Sequence, residues 1–186
     1  MSAQDVLIRI QATPNPAAWK FVLDRAVLTE GKATYSNIEE AAQNPLAAGL
    51  FQVPSVKQVH YFQNVITVTH TFDADPEEVQ QAVCAVIQTR MAVHNPDQTP
   101  LDEKKIKRQS QSPEVQQIED ILDRTVRPGL QGDGGDLDIV SYEDNKLTVF
   151  YQGACGTCPS STTGTLMAIE GILRDEFNPQ IEVIAL

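Results

Sequence analysis

A chain of 186 residues, 41% of them hydrophobic, allows one or two domains with cores of their own and is too apolar for a disordered protein. Its 14 basic and 25 acidic side chains leave a net charge of −11, and 13 of the acids fall in residues 113–186, so the chain would repel phosphate backbones; nucleic acid is not an expected partner. No stretch approaches the roughly 18 apolar residues of a membrane span, strand-like sequence from Asp5 onward predicts no signal or transit peptide, and 3 cysteines are too few for a disulfide framework. Together these predict a soluble, reduced, cytoplasmic protein with no membrane partner.

In chain order, Val6, Ile8 and Ile10 alternate as one face of a strand. Thr13-Pro14-Asn15-Pro16 breaks it, and Lys20–Asp24 predicts a second strand forming a hairpin-like pair with the first. Asn44-Pro45 reads as a cap and first residue of a short helix, Leu46 to Phe51. Strands over 55–62 and 64–71 follow, with Gln63-Asn64 at the turn. Asp75-Pro76-Glu77-Glu78 starts a helix whose buried stripe is Val79, Val83, Val86, Ile87 and Met91. These elements predict a mixed sheet with a packing helix, an α+β domain over 1–94. Cys84 lies in that helix as a small packed hydrophobe. His60, His70 and His94 show no metal-ligand spacing.

Residues 95–112 are polar, hold two prolines and lack an apolar period, and so read as a linker. The second domain, 113–186, opens at Ser112-Pro113-Glu114 with a helix lined by Val115, Ile118, Leu122 and Val126 and stopped by Pro128-Gly129. Gln131–Asp136 holds three glycines and reads as a tight reversal needing positive φ; without a following Gly-Lys-Ser/Thr it is no phosphate loop. Strands over 137–142 and 146–151, a helix with Leu166, Ile169, Leu173 and Phe177 on one face, and a last strand over 180–184 complete the order helix-strand-strand-helix-strand. The fold class is α+β: two small α/β-sandwich-type domains joined by a polar linker.

Between the second strand and second helix of this domain lies Gly153-Ala154-Cys155-Gly156-Thr157-Cys158-Pro159-Ser160-Ser161. Pro159 suits a first helical position, so both sulfurs sit in a glycine-bearing loop at the positive end of a helix dipole. That field favours thiolate over thiol, the form that binds soft metals and attacks disulfides.

These residues carry a resemblance. Val126-Arg127-Pro128, Gly132-Asp133-Gly134-Gly135-Asp136 and the cysteine loop resemble the C-terminal domain of the NifU-like (Nfu) iron–sulfur scaffold family. Thr13-Pro14-Asn15-Pro16, Lys20-Phe21, Asn44–Ala47, Leu50-Phe51 and Val65–Thr69 resemble its N-terminal domain. The resemblance implies a carrier of iron–sulfur clusters and not an enzyme, with Cys155 and Cys158 at the ligand positions and no ligand from the first domain. It implies apo iron–sulfur proteins as acceptors and the cluster-assembly machinery upstream.

A [4Fe–4S] or [2Fe–2S] cluster commonly takes four thiolates. One chain offers two, so two chains are expected to share it as a homodimer. Two alternatives use the same sulfurs: a thioredoxin-like dithiol oxidoreductase and a zinc-bridged structural dimer. Against the first, 28 residues follow Cys158, too few for the rest of that fold.

Overall fold

The structure, a computed structural model, describes residues 5–97, 111–156 and 159–186, and of these the side chains of 159–162 are set aside. It is α+β, with two sheets that each back onto their own helices. Residues 98–110, the greater part of the predicted linker, lie outside the described residues. The flanking residues are tied down: Pro96 O accepts from Thr29 N (3.1 Å) and Asp97 Oδ1 from Thr29 Oγ1 (2.9 Å).

The first sheet has the order β1-β2-β5-β4-β3, from β1 (Ile8–Ala12), β2 (Ala18–Leu23), β3 (Lys32–Tyr35), β4 (Val56–Phe62) and β5 (Val65–His70). All four pairings are antiparallel, which corrects the expected mixed sheet. Among the described residues of this sheet, no helical crossover returns a strand parallel to its neighbour. Strand β3 had no sequence signal: four residues, flanked by polar turns, with Ala33 and Tyr35 alone facing the core. It exists because β4 presents an edge for it and because Tyr35 packs edge-on against Tyr61.

Helices α1 (Pro45–Leu50) and α2 (Pro76–Arg90) cover one face of this sheet. Phe21, Leu46, Leu50, Tyr61, Ile66, Val83 and Ile87 form the centre of the core. Each helix begins as its sequence predicts. Asn44 Oδ1 accepts from Ala47 N at 3.0 Å, and Asp75 Oδ1 from Glu77 N at 2.8 Å, each ahead of a proline. Asn44 is also buried and donates to the Tyr35 hydroxyl (3.2 Å). Asn44→Ala is therefore expected to cost about 1–2 kcal/mol, the upper range for a cap, measured by urea denaturation.

The second sheet, β6-β7-β8, is formed by β6 (Gly135–Glu143), β7 (Lys146–Gly153) and β8 (Glu182–Ala185). Strands β6 and β7 pair antiparallel through a turn in which Asp144 and Asn145 both have positive φ (50° and 63°), the geometry of a tight hairpin. Strand β8 joins β7 in parallel after the crossover through α5 (Pro159–Glu176). Helix α3 (Pro113–Thr125) and α5 bury Ile118, Leu122, Ile169 and Leu173 against Leu137, Leu147 and Val149. The predicted stop at Pro128-Gly129 is corrected: Arg127–Gly132 forms a further short helix, α4, because Pro128 at a first-turn position gives up no intrahelical bond.

Candidate metal centre

Strand β7 delivers the cysteine loop. Gly153 ends the strand at φ +64°, opposite Gly135 at the start of β6. Ala154 N donates to Gly134 O (3.1 Å) and Gly156 N to Gly153 O (3.1 Å), so the loop turns back immediately before α5 begins at Pro159. Cys155 is half-buried and packs against the second core. Cys158, the other predicted ligand, lies outside the described residues. Cys84 is half-buried in α2 against the first core, and burial pushes its thiol pKa up, which suits an inert packed cysteine.

The sulfur of Cys155 has a specific seat. A Cβ at Gly135 would lie 2.4 Å from Cys155 Sγ and 2.9 Å from Gln152 O, so glycine there is a steric requirement of the site. Gly134, at φ +82°, supplies the positive φ expected of the reversal. Of the three glycines in Gln131–Asp136, Gly134 takes the positive φ, Gly135 makes room for the sulfur, and Gly132 ends α4. The adjacent Gly-Gly pair was the available signal for the role of Gly135, since one turn of this kind needs a single positive φ.

Asp136, fully buried, anchors the floor. It lies 2.9 Å from Lys32 Nζ, accepts from Gln131 Nε2 (3.2 Å), and takes its neighbour's Leu137 N–H at 2.7 Å. Arg127 Nε is 3.4 Å from the same carboxylate, and its fork also meets Glu119 (2.5 Å) and Asp123. Burial opposes the charge of Arg127, but these three carboxylates outweigh it and hold the guanidinium protonated. Beneath the loop, the buried Tyr151 hydroxyl has its pKa driven far up by burial and then by the nearby Cys155.

The histidines do not assemble a site. His70 Nδ1 contacts Thr71 O (2.8 Å) and His94 Nε2 contacts Val27 O (2.7 Å). His60, buried, lies 2.9 Å from Thr34 Oγ1, with its Cδ2 3.3 Å from where a Gly153 Cβ would sit. Among the described residues no group of three or more His, Cys, Asp or Glu side chains could hold a metal ion. Among the described residues, too, no helix is long and apolar enough to cross a membrane.

The family model for the scaffold protein Nfu/NifU N terminal matches residues 8–94, and that for the NifU-like domain matches residues 118–184. The chain is 31% identical over 186 residues to the mitochondrial NFU1 iron-sulfur cluster scaffold homolog of Drosophila sechellia, covering 97% of this chain and 65% of the relative. It is 29% identical over 174 residues to the mitochondrial NifU-like protein 5 of Arabidopsis thaliana, covering 90% and 63% respectively. The chain therefore spans just under two thirds of the length of these relatives. A solution structure of a NifU-like protein from Saccharomyces cerevisiae superposes with TM-score 0.48 at 20% identity, over 55% of this chain and 92% of that one. The Drosophila and Arabidopsis relatives are named as mitochondrial proteins, which runs against the cytoplasmic assignment. Cysteine usage could not separate the two compartments, because it distinguishes oxidising surroundings from reducing ones and nothing finer.

Proposed function

Because the chain belongs to the Nfu family of NifU-like scaffold proteins, with that family's N-terminal and C-terminal domains in order, we propose that it carries an iron–sulfur cluster and delivers it to apo-proteins. The cluster is cargo, received from upstream assembly machinery, and the protein performs no turnover of its own. Cys155 and Cys158 are its ligands, two from each of two chains, around one [4Fe–4S] cluster or a [2Fe–2S] cluster. The working division is a first domain over 1–94, a linker over 95–112 and a cluster-binding domain over 113–186.

The observation that supports this most is the seat of Cys155. Cys155 is half-buried, with its sulfur against Gly135, in a loop that leads into α5. A cluster held by loops at a subunit interface can leave by thiolate exchange: an acceptor thiolate forms a new iron–sulfur bond as the bond to one carrier cysteine breaks. An enclosed four-cysteine pocket in one chain would resist that exchange.

Anaerobic reconstitution with iron and sulfide tests the reading. The loaded chain is expected to turn brown, whereas zinc and dithiol forms are colourless, with about four irons per two chains for a shared [4Fe–4S] cluster. Light scattering should show the cluster-free chain largely monomeric and the loaded chain dimeric, since metal–thiolate bonds made only in the dimer add their free energy to association. A chelator should return it towards monomer, and salt should favour the cluster-free dimer by screening the acidic second domain. A monomer with a full four-iron cluster would contradict the shared site.

A further inference from the structure

The resemblance assigns the first domain no ligand, yet that domain reaches the cysteine loop. The second face of its sheet, turned away from α1 and α2, is polar, and side chains on or beside it grip the backbone just before Cys155. Asn15 Nδ2 donates to Ala154 O at 3.0 Å, a fully buried bond. Gln58 Oε1 accepts from Gly153 N at 2.7 Å, and Thr69 Oγ1 donates to Gly153 O at 3.5 Å. Thr34 Oγ1 donates to the side chain of Gln152 at 3.0 Å. These contacts join residues 84 to 139 positions apart in sequence.

Charge and shape agree with this. Lys20 Nζ donates to Gly132 O (2.6 Å), and Lys32 Nζ bridges Asp136 (2.9 Å) and Asp138 (3.0 Å) while donating to Leu137 O (3.0 Å). The first sheet thus sets two lysines against a segment that carries 13 acids and 4 basic residues. A Cβ at Gly134 would lie 2.6 Å from both Lys20 Cγ and Cδ and 2.9 Å from Thr67 Oγ1, so the loop is cut to fit the sheet that covers it. Asn15, His60, Thr67, Thr69, Asp136 and Gln152 are all buried, and polar groups tolerate burial when they have partners. A polar, hydrogen-bonded contact of this kind is the sort that opens and closes reversibly.

We propose that the polar face of the N-terminal sheet is the docking surface for the chain's own cysteine loop, and that docking covers this loop, with Cys155 seated on Gly135, in the cluster-free chain. Ala154 has its N–H on Gly134 O and its C=O on Asn15, so the sulfur cannot swing outward without breaking bonds to both units. Opening the contact frees the loop to meet a second chain. That consequence rests on Cys155 being a cluster ligand; the docking itself does not.

The test compares the full cluster-free chain with a variant carrying Lys20→Glu, Lys32→Glu and Gln58→Ala, three changes on the sheet face that leave the C-terminal unit untouched. Iodoacetamide labelling, with each site resolved by fragmentation of its peptide, reads Cys155 apart from Cys84 and Cys158. Labelling at Cys155 is expected to rise about ten-fold in the variant, as for a locally opened segment, while Cys84 labels at an unchanged rate. In the wild-type chain a zero-length carbodiimide is expected to join Lys32 to Asp136 or Asp138 within monomers, a result that does not depend on the variant folding. Equal labelling of Cys155 in two folded proteins overturns the proposal. So does a cross-link found between chains only, which would make a second copy the occupant. A chain that labels as expected but never takes up a cluster would refute the carrier function and leave the docking established.

Discussion

Cys155→Ala is expected to leave a folded, colourless protein after reconstitution with iron and sulfide, where the wild-type chain turns brown. A dimer of the variant keeps two thiolates of the four that a cluster commonly takes, so iron content should fall from about four per two chains to background. The substitution should cost little in folding, about 1 kcal/mol, because Cys155 is half-buried and its loop is held by backbone bonds from Ala154 and Gly156. Cys158→Ala should give the same loss by the same count of thiolates. Cys84→Ala is the internal control: it packs on the first core and should leave iron content unchanged. Iron and sulfide analysis with circular dichroism on all three variants separates a lost ligand from a lost fold. A folded Cys84→Ala protein that reconstitutes poorly would move the ligand assignment to that residue.

Gly135→Ala is expected to be nearly as damaging to the cluster while also weakening the fold. Its methyl group would overlap Cys155 Sγ at 2.4 Å, Gln152 O at 2.9 Å and Cys155 Cβ at 3.0 Å. The sulfur could move, but the carbonyl belongs to the paired strand β7 and cannot move cheaply. Relief therefore comes from pushing the cysteine out of its seat and straining the β6–β7 ladder, at about 1–3 kcal/mol, the usual range for overpacking. Gly129→Ala is the matched control: nothing lies within 4 Å of its Cβ position, and it sits within the short helix α4. It should be neutral or stabilising by about 0.5–1 kcal/mol. Urea denaturation and iron content should fall together for Gly135→Ala and stay level for Gly129→Ala. A Gly135→Ala chain that binds a full cluster would mean that the sulfur's seat has no part in ligation.

Much of this molecule was legible in the sequence, for local reasons. The caps Asn44, Asp75 and Ser112 each precede a proline and a helix, and each accepts the backbone bond its position demands. The apolar stripe of α2 came out nearly as spaced: Val79, Val83 and Ile87 are buried, Val86 packs beside them, and Met91 is buried just past the end of the helix. Leu147, Val149 and Tyr151 face one core, as their alternation in β7 requires, while Phe150 points away. The cysteine loop between strand and helix was readable because glycine and proline mark such junctions within a few residues of chain.

Four features were not legible. The strand β3 is too short for a period, the antiparallel order of the first sheet depends on which edges meet, and the seat of Cys155 on Gly135 joins residues 20 positions apart. The docking of the first sheet on the loop joins residues farther apart still, through side chains such as Asn15, Gln58 and Lys32 that read as ordinary polar surface. Sequence alone determined the longer elements, their caps and the position of the cysteines, because those follow from periodicity and backbone chemistry acting over a few residues, whereas β3 and α4 were not among them. Tertiary structure alone decided what surrounds the sulfur, because the absence of a Cβ or the aim of an amide acquires meaning when a distant strand arrives opposite it.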